Sequence, residues 1–263
     1  MIDIHHHLLF GLDDGAPDLA TSVEMCKLAA ADGITHIVAT PHANTHWPFN
    51  PAVNTSKINE IRAALPPGFN LTLGLGCDFH LSFDNIEEAK IDPAKFSING
   101  GGYLLVELPD YGIPSGVGEI LYELRLAGLT PILTHPERNP TLQKDCERLA
   151  NWLRSDLLVQ LTADSVTGRR GKTVERMSCD LLERGWVHFI ATDAHNTDRR
   201  PPRMREAHDF IAKKYGAETA HRLCVSNPLA AFEGKPLPPQ PEPTQLFQTE
   251  EDKPWWRKFL DRY

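Results

Sequence analysis

Seven short β-type runs alternate with helix-period patterns along the chain: IDIHH (2–6), THIVA (35–39), LTLGL (71–75), YLLVEL (103–108), TPILT (130–134), LLVQL (157–161) and VHFIA (187–191). The runs are apolar throughout rather than alternating, as expected of strands covered on both faces. Between them lie DLATSVEMCKLAAADG (18–33), GEILYELRLAG (118–128), DCERLANWLR (145–154), VERMSCDLLERG (174–185) and MREAHDFIAKKYG (204–216). In the first, Leu19, Val23, Cys26 and Ala30 share a stripe, with Asp18 placed to cap the start and Gly33 to end it. Strand and helix in alternation predict parallel βαβ units and an α/β fold. A closed barrel and an open doubly wound sheet both satisfy the pattern, whereas the absence of a short fixed repeat excludes a solenoid.

A chain of 263 residues with 41% hydrophobic content can bury a substantial core. Its formal net charge of −8 argues against a general nucleic-acid binder but leaves room for a local anion pocket. The N-terminus reads as a strand rather than a secretory leader, and no run approaches the length of a membrane span, so the expected compartment is the cytoplasm. Cys26, Cys77, Cys146, Cys179 and Cys224 are odd in number and irregularly spaced. They predict neither a disulfide framework nor a thiolate metal knuckle, and the cysteine-nucleophile phosphatase loop is missing. After Glu233 the composition changes. The expected division is a domain over 1–233, a proline-rich linker over 234–252 and an aromatic, basic segment, KPWWRKFLDRY, over 253–263. That last segment is expected to fold back, pack in an oligomer, or dock on a membrane surface or partner.

Imidazoles and carboxylates recur where the strands end. His5 and His7 are two apart on the first strand and should share a face, with His6 turned away. Asp13 and Asp14 follow in a turn. His42 follows the second strand, Asp78 and His80 the third, Glu107 closes the fourth, His135 the fifth, and Asp193 and His195 follow the seventh. Each residue alone has an ordinary structural explanation, such as a hydrogen-bonded histidine or a turn aspartate. Their common position at the carboxyl edge of a parallel sheet, where α/β sites assemble, is what points to a site. Nitrogen and oxygen donors without thiolate suit zinc, manganese or iron, and the donors are too numerous for one ion. His6, His36, His46, His188, His208 and His221 fall outside the pattern and are expected to be structural. Arg138 and Arg200 stand nearest to the ligand motifs and are the best candidates to grip phosphate oxygens.

These residues carry a resemblance. IDIHHHLLFGLDDG, IVATPHAN, ILTHPERNP and IATDAHN are similar to motifs of the polymerase and histidinol phosphatase (PHP) superfamily, and more narrowly to CpsB/CapC-type bacterial tyrosine phosphatases of capsule and exopolysaccharide loci. The resemblance runs from residue 1 to about 232. It implies a distorted (β/α)7 barrel and two or three divalent ions, manganese, iron or zinc. His5, His7 and Asp193 would hold one ion, Glu107 and His135 a second, and Asp14, His42 and His195 a third. The family's bridging glutamate matches Asp78, one methylene shorter, with His80 beside it. Arg138 and Arg200 match the phosphate-binding arginines, and together with Asp193 and His195 they form the implied catalytic set. The implied reaction is attack by a metal-bound hydroxide on a phosphotyrosine protein, the tail of a bacterial tyrosine kinase. A small-molecule phosphomonoesterase such as histidinol phosphatase, and a weakly catalytic regulatory module, are the alternatives.

Overall fold

A computed structural model describes residues 1–109 and 112–246. Its strands are β1 (Ile2–His6), β2 (His36–Ala39), β3 (His42–Ala43), β4 (Thr72–Leu75), β5 (Asp78–His80), β6 (Tyr103–Glu107), β7 (Thr130–Thr134), β8 (Leu158–Thr162) and β9 (Phe189–Ala191). All pair in parallel, in the orders β1-β2-β4 and β3-β5-β6-β7-β8-β9.

Two of the seven expected strands, 35–39 and 71–75, are each followed, after two intervening residues, by a further short paired segment, which accounts for nine segments and puts His42, Asp78 and His80 on strands rather than past them. β2 and β3 are separated by Thr40-Pro41, and β4 and β5 by Gly76-Cys77. Proline has no N–H to give to a ladder, so pairing lapses there. Hydrogen bonds from Gly76 N to the Ala39 carbonyl (2.9 Å) and from Asp78 N to the Pro41 carbonyl (3.1 Å) carry the ladder across the break. At the other seam, Asp193 N donates to the His5 carbonyl and His7 N to the Ala194 carbonyl, each at 2.9 Å. These contacts join the end of β9 to β1, and the seven-stranded circuit is the distorted (β/α)7 barrel.

Two layers of side chains separate inside from outside. Ile2, Ile4, Val38, Tyr103, Leu105, Ile132, Phe189 and Ala191 form one buried cluster inside the barrel. Alternate positions, including Ile37, Leu104, Val106, Leu133, Val159, Leu161 and Ile190, pack outward in the larger cluster that includes the helices. The helix Leu19–Ala31 begins as expected, with Asp18 accepting from Thr21 N at 2.8 Å, and Gly33 follows its end at φ 93°.

The first strand breaks its own alternation. Ile2 pairs with His36 and Asp3 with Ile37, but His6 pairs with Ala39, so β1 holds one extra residue. Ile2 and Ile4 face inward. An unbroken period of two would have sent His6 inward and His5 and His7 out. The bulge reverses the parity, placing Ile4, His5 and His7 inside and His6 outside.

Beyond Glu233, residues 234–246 run along the barrel. Tyr103 Oη donates to the Lys235 carbonyl (2.7 Å), Trp186 Nε1 to the Thr244 carbonyl (3.0 Å) and Arg154 Nε to the Leu246 carbonyl (2.7 Å), and Leu246 is buried. The rest of the proline-rich linker and the aromatic segment 253–263 lie outside the described residues.

Candidate metal centre

The carboxyl ends of the strands converge on one charged cluster. Its first group is His5, His7 and Asp193. Both imidazole Nε2 atoms lie 3.5 Å from Asp193 Oδ1 and 3.4 Å from each other. Ligands about 2.1 Å from a shared tetrahedral ion stand about 3.4 Å apart, so this spacing fits a common ion. The second is Asp14, His42 and His195, with His7 alongside. Here Asp14 Oδ1 is 3.3 Å from His42 Nε2 and 3.4 Å from His195 Nε2.

The remaining donors distribute differently from the expected Glu107–His135 pair. Those two do meet, at 3.3 Å, but His135 groups with His5 and Asp78, while Glu107 groups with His42, Asp78 and His80. Asp78 is common to both groups. Its carboxylate is fully buried, and neither oxygen has a hydrogen-bond partner, although His42 Nδ1 lies 3.1 Å from Oδ2. A buried carboxylate left so is costly unless something cationic takes its lone pairs. His80 Nε2, 2.7 Å from Glu107 Oε2, is a fuller member of the cluster than the motif spacing suggests. Cys77 adjoins Asp78 but its thiol donates to the Phe96 carbonyl at 3.3 Å, so the donor set stays free of thiolate.

Local backbone holds these side chains in place. His135 (φ 35°) and Asp193 (φ 54°) both adopt left-handed conformations, uncommon for residues with a Cβ and costing on the order of 1 kcal/mol each. Gly15 lies against His7: a Cβ there would sit 2.3 Å from the His7 carbonyl oxygen. Asp13, adjacent to the predicted ligand Asp14, serves a different purpose. Its Oδ2 accepts from His7 Nδ1 (2.8 Å) and His42 N (3.1 Å), and its Oδ1 from Gly15 N (2.9 Å). Gln160 Oε1 likewise lies 2.9 Å from His5 Nδ1, and the Asp193 carbonyl 2.9 Å from His195 Nδ1. Each contact fixes a ring and leaves Nε2 facing the cluster.

The charges are strongly coupled. Burial pushes the Asp78 carboxyl up to about 6, with Glu107 adding to the effect. Burial opposes the charged form of His7 and His42, yet Asp13 and Asp193 raise His7 to about 9, and Asp14 and Asp78 raise His42 to about 11. Burial holds His5 well below its ordinary value. Asp193, despite burial, is held well below the usual carboxylate range by His5, His7, Arg200 and Arg138.

Arg138 Nη1 reaches Asp193 Oδ2 at 2.5 Å, and Arg200 Nη2 reaches the same oxygen. Arg200 Nε is buried with no partner, a donor left over. Arg170, which motif reading passed over, is half-buried nearby; burial, then Arg138 and Arg200, lower its guanidinium. A cleft of about 320 Å³ opens onto the site, lined by Asp14, His42, Trp47, His80, Glu107, Leu108, Pro109, Arg138, Asp193, His195 and Arg200. A larger groove, about 930 Å³, lies between helices Val117–Leu126 and Cys146–Leu153 and contains none of the clustered ligands.

Sequence reading missed Gln160 and Trp47. Gln160 could have been found as the polar residue near the end of an otherwise apolar strand, and Trp47 as an aromatic among polar residues just past His42. His6, His36, His46, His188, His208 and His221 stay out of the metal-type groups among the described residues. His188 is not inside a strand as expected, because β9 starts at Phe189.

A family model described as capsular polysaccharide synthesis, CpsB/CapC, matches residues 1–233. The tyrosine-protein phosphatase YwqE of Bacillus subtilis is 32% identical over 225 residues, covering 85% of this chain and 88% of its own. The tyrosine-protein phosphatase CpsB of Streptococcus pneumoniae is 30% identical over 239 residues, covering 87% and 96%. A crystal structure from a study of those two proteins, described there as unique metal-dependent tyrosine phosphatases, superposes with a TM-score of 0.85 at 30% identity. It covers 93% of this chain and all of the matched one.

Proposed function

The chain belongs to the CpsB/CapC family of capsular polysaccharide synthesis and is a metal-dependent tyrosine-protein phosphatase; from that premise we propose how its residues divide the work. His5, His7 and Asp193 hold one ion. Asp14, His42 and His195 hold another. Glu107 and His135, 3.3 Å apart, would hold a third, with Asp78 lying between the His5–His135 and His42–His80–Glu107 groups and His80 supporting Glu107. The donor set favours manganese, iron or zinc. When bound, such ions activate water as a nucleophile and neutralise charge in an in-line displacement at phosphorus.

Arg138 and Arg200 bind the phosphoryl oxygens, drawing on the donors that Asp193 does not use. Asp13, Gln160 and the Asp193 carbonyl keep the imidazoles aimed. The leaving phenolate has a conjugate acid of pKa about 10, so its departure needs little proton donation. The observation that carries this reading is the double use of Asp193. One of its oxygens faces His5 and His7, and the other faces two guanidinium groups, which sets an anion site directly beside a metal-type site.

The substrate is a phosphotyrosine protein, the tail of a bacterial tyrosine kinase that governs polysaccharide synthesis. The setting is the cytoplasm; among the described residues no helix is long and apolar enough to cross a membrane. Residues 1–233 form the phosphatase domain, 234–252 the linker, and 253–263 a docking segment for a partner, a membrane surface or a second copy. The deciding experiment pairs elemental analysis of the purified chain with hydrolysis of a phosphotyrosine peptide, on wild type and His135→Ala. Bound metal and a rate that collapses in the variant are expected. Metal-free wild type, an unchanged variant rate, or a strong preference for histidinol phosphate would overturn the reading.

A further inference from the structure

The cleft over the metal-type residues is chemically lopsided. Most of its lining is charged or imidazole; the apolar part is Trp47, Leu108 and Pro109. Trp47 is set there by a closed turn. Asn44 Oδ1 accepts from His46 N and Trp47 N, each at 2.9 Å, and Asn44 N donates to the Trp47 carbonyl at 3.0 Å. The indole lies nearly parallel to the His42 ring, 13° between planes and 5.1 Å between centroids, and the His46 ring meets it edge-on at 4.8 Å. It is only half-buried, and it borders the cleft. A large aromatic positioned and left partly open, beside a site built for an anion, has a face to offer.

Resting on the phosphatase reading above, we propose that Trp47 is the wall against which the phenyl ring of phosphotyrosine packs, and so a residue that selects aryl over alkyl phosphates. With the phosphoryl group held at Arg138 and Arg200, the organic part of the substrate must cross the cleft. Against the charged walls a phenyl ring would strip water from groups that need it. Against Trp47, flanked by Leu108 and Pro109, it loses only its own apolar hydration and gains an offset aromatic contact. A small alkyl phosphate would bury less apolar surface there and gain no aromatic contact.

The test uses the metal-loaded full chain and two non-hydrolysable probes, phenylphosphonate and methylphosphonate, as inhibitors of phosphotyrosine-peptide hydrolysis. In Trp47→Ala the inhibition constant for phenylphosphonate should rise about tenfold while that for methylphosphonate stays within about twofold. Trp47→Phe should restore most of the difference, and elemental analysis should find unchanged metal. Equal weakening of both probes would assign Trp47 to steadying His42 and overturn the proposal. So would no change in either. Wild type that hydrolyses no phosphotyrosine peptide would sink the phosphatase reading itself, a distinct failure.

Discussion

The two halves of the barrel interior are built by the same strands to opposite specifications. Along β6 the inward positions read Tyr103, Leu105, Glu107; along β9 and just past it, Phe189, Ala191, Asp193. On β8, Leu158 is followed by Gln160. The lower layers are apolar and mostly buried. The upper layer consists of imidazoles and carboxylates, with buried Asp78 oxygens lacking partners and two residues at positive φ. The same strand thus contributes core at one end and chemistry at the other, two residues apart. Stability should reside below and function above, and substitutions along one strand can separate them.

The sharpest test is at Asp193. Asp193→Ala removes an oxygen from the His5–His7 group and the shared partner of Arg138 and Arg200. The expected loss in kcat/KM for a phosphotyrosine peptide is about 1000-fold or more. A loss under about tenfold would mean that the upper layer is not the reacting centre. Four residues earlier, on β9 itself, Phe189→Ala should do the reverse. It empties a fully buried position and should cost about 3–5 kcal/mol in urea unfolding, while the rate per folded molecule stays within a few-fold. If the two variants showed the same balance of effects, the division between layers would be wrong.

A pH-dependent difference is expected away from the metal-type residues. His188, just before β9, accepts from Val159 N at 3.1 Å through Nδ1, and burial, then Arg222, push it down to about 4. The unfolded imidazole takes its proton near 6.5. Between these values the unfolded chain binds more protons, so stability rises with pH across that window and falls as acid is added. The linkage amounts to about 3 kcal/mol at most. Metal-free wild type and His188→Leu, unfolded in urea from pH 7 to 4, should differ in slope, the variant being flatter. Parallel slopes would remove His188 from the account.

Much of this was legible because it followed periodicity. Alternating strands and helices, the Asp18 cap and the gathering of ligands at strand ends all follow from patterns that local chemistry enforces. What escaped depended on contacts between distant segments. The helix Pro51–Ala64 is mostly polar and buries little beyond Asn54, Ile58 and Ile61, so its stripe was too thin to read. The proline-rich stretch shows no intrinsic sign that Thr244 and Leu246 would bond to Arg184, Trp186 and Arg154. Gln160 acts on His5 from 155 positions away. Gln160→Leu should lower metal affinity or activity by about 10- to 100-fold with little change in melting temperature, and Gln160→Glu should recover part of it. A loss of stability without loss of metal would make Gln160 a packing residue instead.

The mildest expected effect is at the residue between the two ligands. His6 pairs with Ala39 on the outward side of the bulge and is fully buried, with both ring nitrogens unpartnered. Burial, then His7 and His195, push it down to about 3, so it is neutral at any working pH. Truncation to alanine loses packing but also removes two unsatisfied polar atoms, and these oppose each other. His6→Ala should therefore cost about 1 kcal/mol, leave bound metal unchanged and alter kcat/KM by no more than about threefold. His5→Ala and His7→Ala should both lose metal. His6→Leu, which fills the space without the nitrogens, should be at least as stable as wild type. If His6→Ala lost metal like its neighbours, the extra residue in β1 would not separate inward from outward as the pairing implies, and the parity of the whole first strand would have to be reassigned.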